Sequence, residues 1–361
     1  MDADGVDLAP ALQRLYGTFP HARLVRLRGD ASSRIYYRVE LEADTATNTG
    51  PRSLVAMRLP EHAGQSDERD GGERAVELPF VDVQRMLRSR GVPVPAIYVD
   101  DTKGRVLLLE DLGDETFEQR LAAAPAAAWA DQYAQAVDLL ASMHRACAEG
   151  APEDSIAYRR RFDRELLRWE LDHFREWGLE ALHGPLAPPD RAVLDQAFDR
   201  FAGEVAALPQ GFVHRDYQSR NLMWAGNRLT IIDFQDALVG PMPYDLVALL
   251  CDSYVAVPEP LQLAMIERYT QALAMDAPAR ERFAAGFWLV AVQRKLKDAG
   301  RFVFIDRVRG NPDFLRWYPQ SLAYVGRALR RLGDTALYER LVRLVPGFPD
   351  RCSVPVAISR G

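Results

Sequence analysis

His214-Arg-Asp216-Tyr-Gln-Ser-Arg-Asn221, followed by Ile231-Ile-Asp233-Phe-Gln-Asp236, is the stretch on which the reading of this 361-residue chain turns. An aspartate, an asparagine five residues later and a second aspartate after a short hairpin form a set suited to phosphoryl transfer. That chemistry asks a protein mainly for positioning and charge neutralisation. Asp216 is the carboxylate that would accept or orient the proton of an attacking hydroxyl. Asn221 and Asp233 offer the oxygen ligands that a hard cation such as Mg2+ takes. A hairpin between them, from β-like runs at 221–224 and 229–232, can bring both to the end of one cleft. Against a solvated loop with chance polar residues stand the Asp-to-Asn offset and the apolar strand entering Asp233.

Outward from that stretch the chain changes character. Upstream, 7–16 has helical spacing, while 21–27, 35–41, 53–59, 96–99 and 105–110 read as strands. One helix, 73–90, carries Val76, Phe80, Val83 and Leu87 at core spacing and stops at Gly91. From Asp114 onward the pattern is mostly helical: 116–123, 126–148, 155–177 and 190–208, then helices broken at Pro258, Pro278, Gly310 and Gly333. The expected fold class is α+β. A small β-rich lobe with one main helix, residues 1–110, precedes a large, mainly helical lobe, residues 111–361, and the two join near Glu110 to Gly113.

Composition excludes several classes. The formal net charge is -6, which argues against a nucleic-acid binder that neutralises many phosphates. Of 45 basic residues only Lys103, Lys295 and Lys297 are lysine, and no Gly-Lys dipeptide occurs, so a Walker A loop is excluded. Base-composition bias accounts for the excess of arginine. Cys147, Cys251 and Cys352 are too few and too scattered for a disulfide framework or a metal cluster. The apolar run 283–292 is far shorter than the ~18 residues of a spanning helix, and the acidic N-terminus does not read as a signal peptide. The expectation is a soluble, cytoplasmic protein acting on small molecules, with no nucleic acid, no membrane and no obligate protein partner.

The segments HRDYQSRNLM, IDFQDALVGPMPYDLVALL and QRKLKDAGRF together resemble the aminoglycoside phosphotransferase and choline kinase superfamily, relatives of the protein kinases. Within it the chain most resembles the anomeric N-acetylmuramate/N-acetylglucosamine kinases of bacterial cell-wall recycling. The resemblance spans roughly residues 8–332. It implies a protein-kinase-like bilobal fold, with ATP and Mg2+ used to make a sugar 1-phosphate from a small-molecule sugar. It makes Asp216 the catalytic base and Asn221 and Asp233 the metal ligands. His214 would prop the loop through hydrogen bonds. Asp245 would be a structural acid that bonds the catalytic loop or caps its helix. Asp236 is either a loop brace or a substrate contact.

On the nucleotide side, Gly29 to Arg34 stands where a phosphate-covering turn belongs. It has a single glycine, so cradling would fall to the backbone at Ser32 and Ser33, beside Arg34; an ordinary hairpin is the alternative. Glu110 and Leu112 stand where a backbone hinge would meet adenine. Arg58, in Val55-Ala-Met-Arg58, occupies the place of the usual strand lysine and is not its equivalent. It either contacts phosphate or faces solvent, with Glu73 or Glu77 as a possible ion-pair partner. On the acceptor side, Gln293, Arg294 and Lys297 recur at helical spacing. They either present cations to an acidic sugar group or phosphate, or form a solvated face. The aromatic stretch 168–177 reads as core or as a sugar platform, and Arg159 to Arg161 as a solvated face. Two other readings stay open: a kinase of another hydroxyl acceptor (aminoglycoside, choline or homoserine), or a non-catalytic nucleotide-binding pseudokinase.

Overall fold

A computed structural model describes residues 7–18, 21–27, 34–41, 50–60, 78–150 and 155–352. The strands β1 (Ala22–Arg26), β2 (Ile35–Leu41), β3 (Ser53–Arg58), β4 (Ile97–Asp101) and β5 (Val106–Glu110) are followed by four short ones. These are β6 (Gln210–Val213), β7 (Leu222–Ala225), β8 (Arg228–Ile231) and β9 (Leu238–Pro241). The helices are α1 (Ala9–Tyr16), α2 (Pro79–Ser89), α3 (Phe117–Ala123), α4 (Trp129–Ala148), α5 (Ile156–Arg159), α6 (Arg164–His173) and α7 (Ala181–His183). They continue as α8 (Pro188–Ala206), α9 (Tyr244–Leu250), α10 (Glu259–Ala272), α11 (Ala277–Arg309), α12 (Tyr318–Leu332) and α13 (Thr335–Leu344). The chain divides into two units: Met1–Glu68, Arg74–Glu115 and Met223–Gln235 form the first, and the remainder the second.

The first unit is built on an antiparallel sheet of order β1-β2-β3-β5-β4. Alternation in β2 turns Tyr37 and Val39 inward, where they join Leu54, Ala56, Val106 and Leu108. Helix α1 adds Leu8, Leu12 and Tyr16 to the same core. Helix α2 begins at Pro79, because the residue before a proline is pushed out of the α region; Leu78 is extended, with ψ 121°, and residues 73–77 of the expected helix lie outside the described residues. The β7–β8 hairpin belongs to this unit. Trp224 N donates to Glu115 O at 2.8 Å, Ile231 N donates to Pro93 O at 2.8 Å, and the Phe80 and Phe234 rings pack 4.9 Å apart.

The second unit is helical around α11, a 33-residue helix started by the Asp276 side chain capping Ala279 N and stopped by Gly310 at φ 68°. Pro278 sits within the first turn of that helix, where a proline is tolerated. The stretch 155–177, expected as one helix, is broken. Phe162 N donates to Val239 O, and Val239 N to Arg160 O, so 160–162 runs beside β9 as a strand-like segment. β9 also pairs with β6, and neither strand was apparent in the sequence reading. Beyond α6 the chain continues as a π-helical stretch, Phe174–Glu180, packed on α11. The three cysteines are buried and free. Among the described residues no helix is long and apolar enough to cross a membrane.

At Gly300, α11 packs directly against the backbone at the start of that π-helical stretch. A Cβ there would meet Phe174 Cα at 2.8 Å and His173 O at 2.9 Å, and backbone atoms cannot rotate away. Gly300→Ala is therefore expected to lose about 1–3 kcal/mol in urea denaturation. Gly203→Ala on α8, whose added methyl meets only Arg164 Nε at 3.9 Å, should be neutral or stabilising. Equal effects of the two changes would contradict the packing argument.

Candidate active site

Strand β6 delivers the chain to His214, and there the loop is gripped by Asp245 in the first turn of α9. Asp245 is fully buried; Oδ2 accepts from His214 N at 2.7 Å and Oδ1 from Arg215 N at 2.9 Å. His144 Nε2 sits 3.1 Å from Oδ2, and its Nδ1 is 2.5 Å from the Tyr269 hydroxyl. A carboxylate can accept only, so Nε2–H donates to Asp245 and the Tyr269 hydroxyl donates to Nδ1. His214 Nδ1 in turn accepts from Asp216 N at 3.2 Å. Arg215 turns through φ 80°, a left-handed conformation uncommon for a side-chain-bearing residue. Its buried guanidinium lies 3.5 Å from Glu170, whose other oxygen accepts from Gln293 Nε2 at 2.7 Å.

Asp216 follows with its side chain 28% exposed. Arg294 of α11, only 2% exposed at the side chain, holds it in place. Nη2 donates to Asp216 Oδ1 at 3.2 Å and Nη1 to Arg215 O at 2.7 Å, with the guanidinium 4.8 Å from the Tyr244 ring centroid. The α11 motif is thus no solvated face. Asn221 Nδ2 donates to Asp216 O at 2.9 Å, so its amide oxygen is the atom able to ligate a hard cation. Between them, Ser219 donates its N and Oγ to the buried Asp252, at 2.8 and 2.6 Å. Arg220 pairs with Glu118 at 2.7 Å and stacks against Tyr254 and Trp317. Asp236 lies 3.9 Å from Arg160. On the aromatic stretch, Trp169, His173, Trp177 and Phe304 pack ring on ring, with His173 buried.

In the first unit, Asp233 ends the β7–β8 hairpin at φ 63°, and its Oδ1 accepts from Gln235 Nε2 at 2.9 Å. Its charge adds to burial in raising the Tyr36 phenol, while a hydrogen bond from Arg34 opposes the rise. Carboxylate and carboxamide oxygens are the donor types that Mg2+ accepts, so Asp233 and Asn221 fit it chemically. Arg58 ends β3 half-buried, opposite Ile35 and Val106. Glu110 Oε2 accepts from Ala96 N at 3.0 Å, and Leu112 is half-buried. The segment between them is fastened by Asp111, which accepts from Arg38 at 2.8 and 3.0 Å and from Ser53 Oγ at 2.5 Å. Ser32, Ser33, Glu73 and Glu77 lie outside the described residues. The supports missed by the sequence reading are Arg38 with Asp111, His144, Glu170, Asp252 and the Lys295–Asp298 pair. Apart from Lys295–Asp298, an i,i+3 pair inside QRKLKDAGRF, none belongs to a short motif, and each meets its partner only through the fold.

The last of these pairs is a charge cluster on α11. Lys295 Nζ donates to Asp298 Oδ2 at 2.6 Å and to Ser253 Oγ, while Lys297 Nζ is 4.0 Å from Asp298 Oδ1. Burial alone would raise the Asp298 carboxyl, but Lys295, Arg294 and Lys297 together hold it down at about 2. A folded value below the unfolded one of about 3.9 stabilises the fold above that pH, and the contribution disappears as pH falls through about 2. The gap in urea stability between wild type and Asp298→Asn should therefore be widest near neutral pH. It should narrow from about pH 4 downward; a gap independent of pH would refute the assignment.

A model of the phosphotransferase enzyme family (APH) matches residues 23–285. The N-acetylmuramate/N-acetylglucosamine kinase of Pseudomonas aeruginosa is 33% identical over 336 residues, 92% of this chain and 91% of that relative. The kinase of the same name from Neisseria meningitidis serogroup B is 32% identical over 324 residues, 88% and 89% of the two chains. Among solved structures, choline kinase from Cryptosporidium parvum Iowa II matches with a TM-score of 0.57 at 13% identity, over 88% of this chain and 92% of that one. ADP-bound aminoglycoside phosphotransferase APH(2'')-Ib matches with 0.53 at 13% identity, over 90% and 98%. At such identities the likeness is one of fold, the protein-kinase-like α+β class expected from the sequence. With most of its length matched by the family model and its relatives aligned nearly end to end, this chain belongs to the phosphotransferase enzyme family.

Proposed function

We propose that the chain is an ATP- and Mg2+-dependent kinase that phosphorylates the anomeric hydroxyl of N-acetylmuramate, N-acetylglucosamine or both. The names of its relatives support the acceptor, and the single observation that supports the chemistry is Asp216, aimed by Arg294 and partly open to solvent. In this reading the Asp216 carboxylate takes the proton of the anomeric hydroxyl while that oxygen bonds to the γ-phosphorus. The bond from γ-phosphorus to the β–γ bridging oxygen breaks, and ADP departs with the electron pair. The anomeric hydroxyl is more acidic than a simple alcohol, so a carboxylate suffices as acceptor. Asn221 and Asp233 would hold Mg2+, which neutralises charge on the phosphate oxygens. Ser32, Ser33, Arg34 and Arg58 are assigned to the phosphates, and the backbone at Glu110 and Leu112 to the base. Arg294 acts through Asp216: with both Nη groups committed to the loop, it orients the carboxylate.

The test supplies ATP, Mg2+ and each amino sugar, measures ADP release, and identifies the product by NMR. A sugar 1-phosphate is expected, and no ADP with either sugar would overturn the reading. Asp216→Asn should lower kcat by about 10²–10⁴-fold, the usual worth of a positioned base. Turnover surviving that change would remove Asp216 from its role.

A further inference from the structure

Asp298 and Tyr254 have no part in the mechanism above, yet each neighbours a residue of the 214–221 loop or of its support: Asp298 follows Arg294 by one turn of α11, and the Tyr254 ring lies against Arg220. Asp298 stands one turn beyond Arg294 on α11, and residues four apart share a helix face. Arg294 bonds Asp216 directly at 3.2 Å. From the other side comes the segment 252–254. Asp252 holds Ser219, Ser253 accepts from Lys295, and the Tyr254 ring lies 3.8 Å from Arg220 Cζ, between Asp216 and Asn221 in sequence. Trp317 backs Tyr254 edge-on at 4.7 Å. Among the described residues, Tyr254 makes these contacts with its backbone and ring, and its hydroxyl is not used in them. Asp298 keeps 14% of its side chain exposed and places Oδ1 beyond hydrogen-bond distance of Lys297. Burial raises the Tyr254 phenol; Arg220 opposes the rise, and the charges of Asp252, Asp298 and Asp216 add to it.

We propose that Asp298 and Tyr254 form the acceptor subsite: Asp298 accepts hydrogen bonds from ring hydroxyls of the sugar, and the Tyr254 hydroxyl donates to a sugar oxygen. The assignment rests on the sugar-kinase reading. It favours a polyhydroxylated acceptor over a cationic one. Lys295, Arg294 and Lys297 already offset the Asp298 charge and leave no excess negative charge for an ammonium group.

The experiment measures ADP release by the full chain, varying N-acetylglucosamine, N-acetylmuramate, choline and ATP independently, for wild type, Tyr254→Phe and Asp298→Asn. Tyr254→Phe should raise the sugar KM about three- to tenfold, and Asp298→Asn on the order of tenfold or more, with the KM for ATP unchanged. Asp298→Asn breaks a buried charge cluster, so its melting curve is recorded. Tyr254→Phe keeps the ring contacts and carries the test alone if the other variant does not fold. An unchanged sugar KM in Tyr254→Phe overturns the subsite and leaves the sugar-kinase reading standing. So does an equal rise in the KM for ATP, which marks a distorted loop. Wild type that turns over neither sugar overturns that reading and the subsite with it, and saturable turnover of choline overturns the preference for a polyhydroxylated over a cationic acceptor.

Discussion

Two consecutive backbone amides, those of His214 and Arg215, end on the two oxygens of one buried carboxylate, Asp245. The rest of the 214–221 loop depends on this contact. A buried charge is tolerated only when its lone pairs are filled, and Asp245 fills its own with the loop and with His144. The loop cannot shift without leaving that carboxylate uncompensated. Arg215 is held at its left-handed φ by the same pair of bonds, since such a backbone conformation persists where surroundings over-determine it. The turn it makes presents the following residue, Asp216, with part of its side chain in solvent.

Arg294 extends the constraint from backbone to side chain. One guanidinium edge reaches both Arg215 O and Asp216 Oδ1, so the loop and its carboxylate are set by the same group. A planar fork suits this work, because it loses little freedom per bond formed. Downstream, Asp252 repeats the device of Asp245 on a smaller scale, with one carboxylate oxygen taking both the amide and the hydroxyl of Ser219. Asn221 is then closed against Asp216 O. Buried acids thus bracket the motif, and the residues between them are the ones assigned to chemistry.

This architecture was only partly legible in the sequence. The strands of the sheet follow from period-2 alternation, and the choice of Asp216, Asn221 and Asp233 as candidates rests on local spacing, a fixed Asp-to-Asn offset above all. The break of 155–177 was not legible, because the pairing of 160–162 with β9 joins residues almost eighty apart. Arg294 was readable as a cation at helical spacing but not as a buried one. An arginine beside an apolar run looks the same whether its partner is water or a carboxylate from a loop seventy-eight residues away. Asp298 was overlooked for the same reason: an acid following two lysines reads as part of a solvated charge run.

The scarcity of lysine gains a physical sense from the second unit. Two of the three lysines, Lys295 and Lys297, stand in the buried cluster on α11. Lys295 places one compact ammonium against both Asp298 Oδ2 and Ser253 Oγ, and Ser253 also meets Ser321 Oγ at 2.9 Å. A guanidinium is wider, planar and aims its donors in a fixed fork, so it cannot occupy that point without displacing one of these partners. Arginine fills the opposite role at Arg294, where two acceptors lie side by side in reach of one planar edge. The distinction bears on Arg58 as well. At the end of a strand a fork could meet a phosphate on two oxygens where an ammonium would meet it as a point charge. At Lys295 and Arg294 the choice between the two cations therefore follows acceptor geometry, whatever bias in composition supplied the arginines elsewhere.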